Sequence, residues 1–94
     1  MGKLLILAHY IFLIYVTDIN EKRRHIHCTY AHKGFKHSCK FWLEPIIELD
    51  ENKTGSFTQK ELNEIENLIL ENKEMLLTQL EQFYSGKQVK AIRL

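Results

Sequence analysis

His25-x-His27 places two imidazoles one residue apart in a run that alternates in character. On a strand, alternate side chains share a face, so both rings project from the same side. Neutral imidazole nitrogens exchange protons near neutral pH and ligate metal ions. The pair supplies only two ligands, and a tetrahedral zinc site needs one or two more, from His9, His32, His37 or a carboxylate. The spacing alone therefore calls for no metal and no cofactor. Cys28 follows His27 directly, but neighbouring strand residues point to opposite faces, which argues against a Cys–His catalytic pair.

The same alternation groups Tyr15, His25, His27, Thr29, Lys40 and Trp42 on an outer platform opposite the apolar strand positions. Aromatic rings on such a face stack bases, and Arg23, Arg24 and Lys40 would approach phosphates. The face serves equally to bind a protein or to bury itself in a homodimer, because Ile11 and Leu13 point the same way.

A third pattern runs from Asp50 to Glu61. Oxygen-bearing side chains stand at positions 1, 3, 5, 9 and 12 of a calcium-type loop, with Gly55 at position 6. The segment before it contains Pro45 and reads as extended, so the entering helix is absent and a strand-to-helix connection is expected. There is no glycine-rich phosphate loop, no CxxC and no HExxH, and Ser38, Ser56 and Ser85 lack a nucleophile-elbow context. No catalytic residue is assigned.

These residues need elements to hold them. Tyr10–Thr17 reads as a strand, starting as early as Leu4. In His25–Tyr30, residues Ile26, Cys28 and Tyr30 face inward. In Ser38–Leu43, Cys39, Phe41 and Leu43 do the same. Ile46–Leu49 is a short edge strand. Thr58-Gln59-Lys60-Glu61 is a capping box that opens a helix carrying Leu62, Ile65, Leu68 and Ile69. Asn72 reads as the cap of a second helix with Leu76, Leu77, Leu80, Phe83 and Tyr84, and Gly86 stops it. Val89–Leu94 returns as an edge strand or lies irregularly. The expected fold is α+β: a small antiparallel sheet of three or four strands, covered on one face by two C-terminal helices or one bent helix.

With 94 residues, 45% of them hydrophobic, the chain makes one core and one domain, residues 1–94. Residues 1–44 carry seven Lys/Arg and three Asp/Glu, whereas residues 45–94 carry six and nine, so the halves differ in sign. Two cysteines do not make a disulfide framework, and both read as buried free thiols. The apolar run 4–16 has 13 residues and includes His9, too short to span a bilayer, so no membrane association and a cytoplasmic location are expected.

Several segments in order resemble a small prokaryotic family known as domain of unknown function 4160. They are Ile11–Asp18, RRHIHCTY, KFWLEPIIEL, the run from Gly55 to Tyr84, and GKQVKAI. Arg23 and Arg24 stand where that family often has prolines, and Leu80 stands where it often has tryptophan. The resemblance implies a compact α/β domain without established catalytic residues. Relatives are associated with toxin–antitoxin-like or other small paired gene systems, which implies a cognate small protein as partner. The leading expectation is a protein-interaction module, a component of such a regulatory pair. The alternatives are a small nuclease or nucleotide-processing enzyme using His25 and His27, or a non-enzymatic nucleic-acid-binding protein.

Overall fold

The first apolar run folds back on itself instead of continuing as one strand. In the computed structural model, which describes residues 2–31 and 37–94, β1 (Gly2–Leu7) and β2 (Tyr10–Ile14) pair antiparallel around Ala8 and His9. His32 and the KGFK turn lie outside the described residues. Ala8 takes a left-handed φ of 55°, a conformation usually assigned to glycine or asparagine. With neither residue present, the turn carries no compositional signal. The strand expected over Tyr10–Thr17 also ends early, because Val16–Asn20 tightens into a 3₁₀ helix.

β3 (His25–Tyr30) and β4 (Cys39–Trp42) occupy the two alternating runs, and β5 (Glu48–Leu49) follows the Pro45 bend. Two helices come next, α1 (Gln59–Glu71) and α2 (Lys73–Tyr84), and then β6 (Ile92–Arg93). The order across the sheet is β5-β4-β3-β2-β1-β6, antiparallel throughout except that β6 runs parallel to β1. The α+β class is as expected. The three- or four-stranded antiparallel sheet is corrected to a six-stranded mixed one. The added strands are the first arm of the N-terminal hairpin and a two-residue terminal strand, too short to show a period of two.

The registers Phe12↔Cys28, Ile26↔Phe41 and Cys28↔Cys39 align the apolar positions on one face. Leu62, Ile65, Ile69, Leu76 and Leu80 from the two helices close over them in a single buried cluster. Leu80 packs fully buried. Cys28 and Cys39 are buried and free. A shift of register between Lys3 and Leu5 lets both Leu4 and Leu5 be buried, which strict alternation forbids.

The capping box forms as read, with Glu61 N donating to Thr58 Oγ1 at 3.2 Å and Thr58 N to Glu61 Oε1 at 2.9 Å. Asn72 joins the helices in a different way from that expected. Its side chain makes no N-cap bond to α2; Nδ2 instead donates to Leu68 O at 2.8 Å, satisfying a carbonyl at the end of α1. Among the described residues, no helix is long and apolar enough to cross a membrane.

Candidate functional site

The opposite face of the sheet carries the row Leu13–His27–Lys40 and, beside it, the pair His25–Trp42. It is not the open platform that alternation implies. The 3₁₀ helix after β2 folds across it, so His25 is 0% exposed and Lys40 8% exposed. Tyr84 of α2 holds that turn from behind, its hydroxyl shared between Asp18 O at 3.2 Å and Glu21 O at 3.3 Å. Asp18 closes the turn locally. Tyr15 N donates to Asp18 Oδ2 at 2.9 Å, and Asp18 N donates to Tyr15 O at 2.9 Å.

This wrap brings the Asp18 carboxylate between the two imidazoles. His27 Nε2 lies 3.0 Å from Asp18 Oδ2; a carboxylate oxygen can only accept, so Nε2 carries the proton of this bond. His25 Nδ1 lies 3.1 Å from Arg23 O, again an acceptor, so neutral His25 carries its proton on Nδ1 and a lone pair on Nε2. That Nε2 faces Asp18 Oδ1 at 3.4 Å and Glu21 Oε2 at 3.5 Å, and it is fully buried without a hydrogen-bond partner. Ligand-type atoms of Asp18, His25 and His27 all lie within 4.8 Å of one another.

The electrostatics follow from burial and pairing. Burial pushes the His27 imidazole below its usual range, and Asp18 only partly restores it. For Asp18 burial acts upward. The Tyr15 N–H and the two imidazoles outweigh it and leave the carboxyl below its ordinary value.

The basic residues of the expected platform are mostly committed. Lys40 Nζ binds both carboxylate oxygens of Glu21, at 3.1 and 3.3 Å, and stands 4.2 Å from the centre of the Trp42 ring. Arg23 also lies over Trp42: its guanidinium is 4.2 Å from the ring centre, and its Nε donates to Glu44 O. Arg24 leaves the site altogether, pairing with Glu81 at 2.8 Å and lying over Tyr84. Thr29 sits along β3 opposite Ile11, away from the carboxylate. The structure thus joins Tyr15, His25, His27, Lys40 and Trp42 and separates Arg24 and Thr29 from them. Asp18 and Glu21, which sequence reasoning did not single out, complete the group. Their only signal was acidic character in the polar stretch just before the histidines.

A cleft of about 530 Å³ opens beside this cluster. Tyr15, Asp18, His27 and Lys40 form its floor, and Ser38, Asn52, Lys53 and Gly55 form its rim with His37. The rim is tied to the sheet by Lys40 N donating to Lys53 O at 2.9 Å and Ser56 N to His37 O at 3.1 Å. The calcium-type loop is used structurally: Asp50 Oδ1 accepts from Asn52 N at 3.1 Å, and Glu61 is spent on the helix cap.

No curated protein and no solved structure matches the chain. Residues 10–81 match the profile of one family, and that span holds β2 through most of α2 and every member of the Asp18–His25–His27 cluster. The chain belongs to the family described as domain of unknown function (DUF4160).

Proposed function

We propose that this domain is an interaction module that receives an acidic segment of a cognate protein in the Tyr15–Lys53 cleft. The observation that carries the reading is the lining of that cleft. Lys53 offers a cation without a carboxylate partner among the described residues, and Ser38, Asn52 and Tyr15 offer hydrogen-bonding groups around it. A concave site with a few convergent polar groups is the usual form of a recognition pocket. The association of the family's relatives with small paired genes supports a protein as occupant.

Capture of the partner from the native host, followed by titration of the reconstituted pair, tests the reading. Lys53→Glu places a like charge against an acidic segment and is expected to weaken binding about tenfold, ~1.4 kcal/mol. Unchanged binding by the folded variant rejects the cleft as the interface.

A second reading rests on a separate observation: the His27–Asp18 pair lines the same cleft. A carboxylate that orients an imidazole is the arrangement of a general base, and the lowered proton affinity of His27 keeps it neutral near pH 7. A small phosphodiesterase or nucleotide-processing activity follows from this. It requires turnover of a phosphodiester substrate that His27→Ala abolishes. Salt-sensitive binding of nucleic acid without turnover would favour a non-enzymatic binder instead.

A further inference from the structure

We propose that Asp18 Oδ1, His25 Nε2 and His27 Nε2 form a binding site for a divalent first-row transition ion of the zinc type. The argument starts from His25. Its Nδ1–H is held by the Arg23 carbonyl, which leaves the Nε2 lone pair as the free valence of the neutral ring. Metal-ligating histidines are oriented in this way, with one nitrogen bonded to a backbone carbonyl or carboxylate and the other on the metal. Here the other nitrogen is fully buried, has no hydrogen-bond partner, and is aimed at two carboxylate oxygens.

The distances are longer than those of a hydrogen bond and match the spacing of ligands around a metal. An N–H···O bond to a carboxylate closes to about 2.7–3.2 Å. His25 Nε2 instead stands 3.4 Å from Asp18 Oδ1 and 3.5 Å from Glu21 Oε2. Ligands on a tetrahedral zinc with bonds of about 2.0–2.1 Å are separated by roughly 3.3–3.4 Å. The His25–Asp18 separation has that edge length. His27 needs one change, exchanging its bond to Asp18 Oδ2 for one to the ion while its ring proton passes to Nδ1 through the adjoining cleft.

Two imidazoles and a carboxylate select zinc, cobalt or nickel over magnesium or calcium, which take oxygen ligands. Glu21 is the nearest further oxygen donor, although Lys40 holds it in an ion pair. Asp18 and His27 also line the cleft, so an ion here would sit at its floor whatever occupies the rim. The inference is therefore independent of the identity of any partner.

The full chain, stripped with chelator, is titrated with Co²⁺ by calorimetry and visible absorption, and the Co²⁺ is then displaced with Zn²⁺. The expected result is one Co²⁺ per chain with the intense visible bands of four-coordinate cobalt, lost on Zn²⁺ addition, and a higher thermal midpoint for the loaded protein. Asp18→Asn keeps an acceptor for Tyr15 N, and His27→Gln keeps a polar side chain. Each, shown to be folded by circular dichroism, is expected to weaken binding by more than about a hundredfold. Absence of saturable Co²⁺ or Zn²⁺ binding by the unsubstituted chain overturns the proposal, as does unchanged affinity in the folded variants. A measurement on the unsubstituted protein guards against variants that fail to fold. Co²⁺ must shift the His25 Nδ1–H resonance far outside its normal range, and an unmoved signal also overturns the site.

Discussion

His25 and His27 leave the same face of one strand and reach different environments. His25 is enclosed by the 3₁₀ helix, the Arg23 carbonyl and Trp42, whereas His27 borders the cleft. Asp18 connects them and also caps its own turn. Asp18→Ala removes the acceptor of Tyr15 N and His27 Nε2 together, and is expected to cost about 1–3 kcal/mol in urea unfolding. A second residue-scale expectation concerns Tyr10, buried against Phe57 and Tyr30. Burial first, and then the carboxylates of Glu64 and Glu61, raise its phenol to about 12 from 10.0. The unfolded chain releases this proton first. The contribution to stability is therefore complete below about pH 10 and falls as the pH rises towards 12. Burial raises the Tyr84 phenol as well, so phenolate absorbance in an alkaline titration should show late ionisation, and Tyr10→Phe should remove the component near 12.

At the scale of elements, the loop between β5 and α1 decides the shape of the cleft rim. Gly55 has φ 64°, and a Cβ there would run into the backbone of His37 and Ser38. Gly86 has φ 80° beyond α2, with open space around it. Gly55→Ala is therefore expected to lose more than about 2 kcal/mol, from strain and collision together. Gly86→Ala should lose about 1 kcal/mol, from the left-handed backbone alone. Thermal or urea unfolding of the two variants side by side checks the difference. The capping box at Thr58 was legible because its two partners are three residues apart. The roles of Gly55 and of Asn72 were not, because each depends on which carbonyl lies nearby in the folded chain.

Across the whole molecule, α2 holds both ends of the chain in place. Gln79, 6% exposed, spends both amide hydrogens on Leu4 O at 3.0 Å and Lys90 O at 2.7 Å. Leu94 N continues the join by donating to Ile6 O at 3.0 Å. Gln79→Leu leaves a buried carbonyl on β1 unpaired and frees the segment leading to β6. The expected loss is about 1–3 kcal/mol in denaturant unfolding. Faster amide exchange at Leu94 should accompany it, with little change in the central strands.

The helical second half, the strands over His25–Tyr30 and within Ser38–Leu43, and the inward row Ile26, Cys28, Phe41 and Leu43 were determined by the sequence alone; the choice of two helices over one bent helix was not. Local periodicity and a local cap specify them. The N-terminal hairpin was hidden because Ala8 turns the chain without glycine or asparagine, and β6 stood as one of two readings of Val89–Leu94 because two residues carry no period. The shared face of His25 and His27 was also legible, through strand alternation. Its burial was not. That depends on a turn nine residues before His27 lying across the sheet, fastened by Tyr84 from a helix 66 residues beyond Asp18. Spacing along a chain gives the direction of a side chain. Only the packing of distant elements gives its neighbours, and here those neighbours turn an expected open platform into an Asp18–His25–His27 cluster, with His25 buried and the other two half-buried at the floor of a cleft.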